Sequence, residues 1–207
     1  AQGIGYIAGG WPLDPKKSTI VFIHGAGGSS LFWESQIEGL LARVNTLALD
    51  LPGHGRSEGE GRDTIEAYAR CVIEFIKDIG VPHPIVCGLS MGGAVALQLL
   101  LDCPGLLKAG ILLNTGAKLK VAPAIFDILE KDFNGYLAMI GTLVASQTMD
   151  PEKLKRFQQE AARCKPEVTL KDFKACNGFD VMQRTGSITL PVLVVSAEND
   201  QLTPPKY

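Results

Sequence analysis

At 207 residues with a 46% hydrophobic composition, the chain is long enough to bury one substantial core and needs no second domain. Twenty basic against twenty-two acidic residues, a net charge of −2 and no Lys/Arg stripe exclude the electrostatic footprint of a nucleic-acid-binding protein. The apolar runs fall short of the roughly 20 residues that span a bilayer, and residues 1–17 lack the basic start and apolar centre of a signal peptide, so a soluble protein with no membrane partner is expected.

In chain order, the first strong pattern is the apolar run Ile20 to Ile23, which ends in the glycine-rich stretch "HGAGGSS"; Leu47 to Leu49 repeats the plan before "DLPGHG". Residues 85–88, 109–114 and 191–200 supply three further runs, short and apolar, as buried parallel strands are. Helical spacing separates them. Trp33, Ile37, Leu40 and Leu41 recur on one face, and Ile65, Tyr68, Ala69, Val72, Phe75, Ile76 and Ile79 form a second stripe that Gly80 stops. Alternating strands and helices predict an α/β fold, a mostly parallel sheet covered by helices on both faces. Functional loops of such sheets lie at the carboxyl ends of the strands, where His24, Asp50, Ser90, Asn114 and Asp200 fall.

From Thr115 to about Gly186 the strand rhythm gives way to helical patterns. Asp150-Pro151 starts one helix with Leu154, Phe157 and Ala161 on a face, and Thr169 with Asp172 three residues on reads as a capping box that starts another. Such an insertion is too long for a plain crossover. The expected organisation is a core over 1–116, a helical cap over 117–186 and a return to the core over 187–207. Within the cap, Phe126, Leu129, Phe133, Met139 and Phe179, with Ile125, Tyr136 and Met182, are candidates for a greasy substrate pocket. The cysteines, Cys71, Cys87, Cys103, Cys164 and Cys176, are odd in number, widely spaced and without a C-x-x-C pair. That pattern argues against a disulfide framework or a zinc site and points to a reducing, cytoplasmic compartment.

The chemistry concentrates in "IVCGLSMGGAVALQLLL", residues 85–101. Gly88-Leu89-Ser90-Met91-Gly92 matches G-x-S-x-G with a strand before it and a helix after it. A sharp strand-to-helix turn brings the residues two before and two after the serine into collision unless both lack a side chain, and both are glycine. The helix then aims its unpaired N–H groups and partial positive charge at Ser90. The N–H of Met91 is one candidate donor to a developing oxyanion, and the loop "HGAGGSS" supplies the second, at Ala26 with Gly27 as the alternative. A phosphate loop is excluded, because no G-K-[ST] follows. Cys87, in the same apolar run, reads as a small buried hydrophobe rather than a thiol nucleophile.

Taken together, these residues make the chain resemble an α/β-hydrolase: "FIHGAGGSSLFW", "LALDLPGHGRSEG", "GLSMGGAVAL" and "VSAENDQLTPP" stand in that family's order and span nearly the whole chain. The resemblance implies Ser90 as nucleophile, Asp200 as the acid after the late strand, Gly25, Gly88 and Gly92 as supporting glycines, and a histidine base further on. Glu198 is the nearest rival carboxylate, and Asp50 is expected to fix its own loop. It also implies structural roles for His24 in the oxyanion loop and His54 in the "PGHGRS" turn, while His83 precedes the strand that leads to Ser90 and belongs at the opposite end of the sheet.

No histidine follows Asp200 before Tyr207. The expectation is therefore an incomplete hydrolase, in which a C-terminal segment or second fragment supplies the last strand, the histidine loop and the closing helix; a natural short form without a working triad is the alternative. The implied activity is hydrolysis of a carboxylic ester, lactone or thioester of a small apolar acyl compound, without metal or organic cofactor. A C–C bond hydrolase, a cofactor-free perhydrolase and a non-catalytic ligand receptor are the alternatives on the same fold.

Overall fold

The computed structural model describes residues 3–144 and 149–203. Its elements run β1 (Tyr6–Ala8), β2 (Thr19–Ile23), α1 (Glu34–Leu40), β3 (Asn45–Leu49), α2 (Ile65–Ile79), β4 (Ile85–Leu89), α3 (Met91–Asp102), β5 (Ala109–Leu113), α4 (Pro123–Lys131), α5 (Phe133–Val144), α6 (Pro151–Ala161), α7 (Pro166–Gly178) and β6 (Val192–Val195). Short 3-10 segments lie at Ser30–Trp33, Pro104–Leu106 and Met182–Ser187. The strands form one sheet in the order β1-β3-β2-β4-β5-β6, with β1 antiparallel to β3 and every other pairing parallel. The five expected strands are present. β1 is an addition, because three half-buried apolar residues make too short a run to stand out as a strand.

Alternate residues of each strand serve opposite faces of the sheet. Val21, Ile23, Leu47, Leu49 and Val86 join α2 and α3 in the larger core, while Ile20, Phe22, Ala48 and Cys87 meet Trp33 and Ile37 on the other side. Helix α2 starts where the Thr64 hydroxyl accepts the Ala67 N–H and stops at Gly80, whose φ of 70° is the left-handed conformation that favours glycine. Helix α3 buries every residue from Met91 to Leu100, so its placement behind β4 is held from all sides.

The segment between β5 and β6 is helical, as expected, and Asp150 caps α6 by accepting the Glu152 N–H. The expected capping box at Thr169 is corrected. Pro166 already opens α7, so Thr169 and Asp172 lie inside the helix, both buried, and the Asp172 carboxylate bonds to the core rather than to a helix end. Ile125, Leu129, Tyr136 and Ile140 form a small core of their own, whereas Ala175, Cys176 and Phe179 join the main one. The outer strand β6 exposes Leu193, Val194 and Val195 by 57%, 64% and 45%. No helix among the described residues is long and apolar enough to cross a membrane.

Candidate active site

Ser90 occupies the turn between β4 and α3 with φ 54° and ψ −117°, a conformation that L side chains rarely adopt. Strain of this kind costs about 1–3 kcal/mol and persists only where the surroundings over-determine it. Here the Ser90 N–H donates to the Leu113 carbonyl at 3.0 Å, and the Ser90 carbonyl accepts from Thr115 Oγ1 at 2.8 Å and from the N–H groups of Gly93 and Ala94. A Cβ on Gly88 would run into the backbone of Gly92, and one on Gly92 into the carbonyls of Ile23 and His24. Both glycines are therefore steric requirements of the turn. The Ser90 hydroxyl makes no hydrogen bond among the described residues, and Met91, as the first residue of α3, has an N–H with no partner inside the helix.

The loop after β2 lies against this turn: a Cβ built on Gly25 sits 3.4 Å from the Cβ of Ser90 and 4.0 Å from its Oγ. The Gly25 carbonyl accepts from the Gly28 N–H at 3.1 Å and from His24 Nδ1 at 2.8 Å. Because a trans peptide is planar, anchoring that carbonyl also fixes the direction of the Ala26 N–H in the same peptide unit. The Ala26 N–H has no acceptor among the described residues. Gly27 is different. Its N–H donates to Asp172 Oδ2 at 2.8 Å, which removes it as the alternative oxyanion donor.

Asp200 stands in the turn after β6 and is partly buried; its Oδ1 accepts the N–H groups of Leu202 and Thr203, and its Oδ2 faces the Thr203 hydroxyl at 2.9 Å. Thr203 Oγ1 is also 2.8 Å from the Asn114 carbonyl, and the Asn114 N–H donates to Val195. These bonds tie the Asp200 turn to the end of β5, whose Leu113 carbonyl accepts the Ser90 N–H. Glu198 is exposed. Asp50, as expected, fixes loops, accepting the N–H of Ser30 at 2.6 Å and of Arg56 at 3.1 Å.

His24 and His54 are both buried, with ring centroids 4.8 Å apart, yet their surroundings favour different protonation states. His24 accepts the Leu51 N–H at Nε2 and faces the Gly25 carbonyl with Nδ1, the pattern of a neutral ring. Burial, reinforced by the neighbouring His54, pulls its pKa down to about 3. His54 faces acceptors with both nitrogens, the Pro52 carbonyl at 3.1 Å and Asp172 Oδ2 at 2.8 Å, the pattern of an imidazolium. Burial opposes that charge, but the Asp172 carboxylate outweighs it and holds the pKa well above the ordinary value. Tyr68 completes the arrangement by donating its hydroxyl to Asp172 Oδ1; burial and that carboxylate push the phenol pKa upward. Neither ring is free to act as a base toward Ser90. Burial likewise pushes the Cys87 thiol up to about 12, leaving it a core residue.

The structure does not gather the expected pocket residues into one lining. Leu129 belongs to the helical segment's own core, with Phe133 and Met139 packed on it, and Phe179 belongs to the main core. Phe126 is half-buried, while Met182 is 56% exposed. Apolar positions on a helix look alike whether they fill a core or line a pocket. Conversely, the sequence reading missed Asp172 and Tyr68. No local signal marks Asp172, since Thr-x-x-Asp is also a helix-start pattern.

A family profile described as an alpha/beta hydrolase family matches residues 20–207. The chain is 28% identical over 205 residues to the candidate carbamate hydrolase RutD of Agrobacterium fabrum, covering 92% of this chain and 78% of that protein. It is 25% identical over 206 residues to the pimeloyl-[acyl-carrier protein] methyl ester esterase of Nitrosospira multiformis, covering 90% and 78%. Among solved structures, the enol-lactonase of Burkholderia xenovorans superposes with a TM-score of 0.88 at 21% identity, over 98% of this chain and 81% of that one. A thermophilic esterase superposes with a TM-score of 0.82 at 28% identity, over 100% and 79%.

Proposed function

Because the chain belongs to the alpha/beta hydrolase family, we propose that it is a serine hydrolase that cleaves a carboxylic ester, lactone or thioester of a small apolar acyl compound through an acyl-enzyme on Ser90. One observation carries this reading: the Ser90 hydroxyl stands on a strained turn against the Gly25 loop, and the N–H groups of Ala26 and Met91 have no acceptor among the described residues. Donors fixed in this way need no reorganisation when negative charge develops on the substrate oxygen. The esterases among its relatives support the substrate class.

In this mechanism a base takes the Ser90 proton, Oγ attacks the carbonyl carbon, and the tetrahedral oxyanion is held by Ala26 and Met91. Collapse expels the alcohol or thiol, leaving the acyl-enzyme, and water releases the acid. Asp200 orients the base and stabilises its charged form. His24 and His54 are committed to structural bonds, so neither serves as this base. The helical segment acts as a cap: Thr169 of α7 lies against Gly27, and Phe157 of α6 stacks on Phe32 with centroids 5.2 Å apart.

The test is labelling of the whole protein with a fluorophosphonate, read by intact mass and peptide mapping. One phosphonyl group on Ser90, absent from Ser90→Ala, is expected. Equal labelling of both proteins removes Ser90 from the mechanism.

A further inference from the structure

Asp172 is a carboxylate with no exposed surface, on a helix outside the sheet, and all of its partners are in the core. Its Oδ2 accepts from the Gly27 N–H and from His54 Nε2, both at 2.8 Å, and its Oδ1 accepts from the Tyr68 hydroxyl. A buried carboxylate is costly unless it is paired and hydrogen-bonded, and this one has three donors from three separate parts of the core. Two of them, His54 and Tyr68, hold the carboxylate itself in place. The third, Gly27, is the residue next to the loop's open N–H.

We infer that Asp172 is a positioning residue for the oxyanion loop: by holding the Gly27 N–H it fixes the peptide plane that follows Ala26 and leaves the Ala26 N–H as that loop's donor to the reacting oxygen. This inference rests on the Ser90 hydrolase reading. The geometry is two-sided. The Gly25 carbonyl, anchored by Gly28 and His24, sets the peptide plane before Ala26; the bond from Gly27 to Asp172 sets the plane after it. With both planes fixed, the backbone at Ala26 has little freedom left, and the N–H direction is settled before substrate arrives. Gly27 has a φ of 64°, a conformation from which a glycine can swing if its N–H is released.

His54 serves Asp172 in turn. Its imidazolium balances the carboxylate, and it is itself anchored through Nδ1 to the Pro52 carbonyl. The groups that face it are Asp172 from α7, Tyr68 from α2, Cys164 just before α7 and His24 at the end of β2. Asp172 is the charged partner among them. The oxyanion loop is thus completed only when α7 is docked, which couples the helical segment to the chemical step.

The experiment compares the whole protein with Asp172→Ala, His54→Ala and Ser90→Ala on one activated ester, with thermal melting as a measure of folding. It adds binding of a boronic acid, which forms a tetrahedral adduct, against binding of the product acid. For Asp172→Ala, which leaves the Gly27 N–H without its acceptor, kcat is expected to fall about 10²-fold, the effect of misplacing a catalytic group by about an ångström. Boronate affinity should fall by a comparable factor, since it senses the same donor, with KM and product affinity changed less than about threefold. Asp172→Ala with kcat and boronate affinity near wild type and only a lower melting temperature overturns the inference, leaving Asp172 a purely structural group. If Asp172→Ala does not fold, His54→Ala decides alone: a paired loss of kcat and boronate affinity supports the positioning role, and unchanged kcat overturns it. Ester turnover that survives Ser90→Ala defeats the hydrolase reading and this inference with it.

Discussion

The turn at Ser90 and the clamp at Asp172 are neighbouring arrangements built from very different lengths of chain. The first is legible within residues 88–92, as two glycines and a helix start, and is braced by the backbone of Ile23, His24 and Leu113. The second draws Gly27, His54 and Tyr68 to Asp172 across sequence separations of 145, 118 and 104 residues. A local turn pays its strain at one residue and is held by the adjacent strand. The clamp buries a full charge pair and exists only because the helical segment folds back over the sheet. Damage at the turn should therefore remove chemistry and leave the fold, while damage at the clamp should cost stability as well.

The largest expected effect is at the turn. Ser90→Ala should lower kcat about 10⁴-fold or more with little change in KM and no loss of melting temperature, read by steady-state hydrolysis and calorimetry. Asp200→Asn should lower kcat by a similar factor of about 10⁴ through a misoriented base. Glu198→Gln should be mild. A damaging Glu198→Gln beside a mild Asp200→Asn reverses the choice of acid.

At the clamp, Asp172→Leu strips the acceptor from a buried charged partner and should cost about 3–5 kcal/mol in denaturant unfolding. A cost below about 1 kcal/mol would falsify the contrast between the two regions.

The two adjacent histidines sharpen the comparison through pH. A free histidine titrates near 6.5. His54, raised well above that, contributes stability that is full below about pH 6.5 and is lost as pH rises through its folded-state pKa. His24, lowered to about 3, does the reverse: its contribution is full above about pH 6.5 and is lost as pH falls toward 3. Each site can slope the stability curve by at most about 1.4 kcal/mol per pH unit. His54→Gln should flatten the alkaline limb and His24→Gln should reduce the acid one, measured as slopes of unfolding free energy against pH. Loss of the same limb in both variants contradicts the different protonation states of the two rings.

The smallest effect belongs to an element that is local from end to end. Thr64→Ala removes the hydroxyl that caps α2 and should cost about 1 kcal/mol without touching kcat.

The sequence by itself determined the alternation of strands and helices, the glycines at 88 and 92 and the serine between them, because each is written in residues a few positions apart. Strand periodicity and turn sterics act at that range. Only the tertiary structure decided that Gly27 is taken, that His54 is charged while His24 beside it is neutral, and that Leu129 and Phe179 fill cores instead of lining a pocket. Asp172 shows the reason most clearly. In one dimension it stands three residues after Thr169 and looks like a helix start; in the fold Pro166 has already begun the helix, and packing of α7 against the core turns the carboxylate toward partners more than a hundred residues away. A buried charge takes its meaning from whatever surrounds it, and those surroundings are assembled only when distant elements meet.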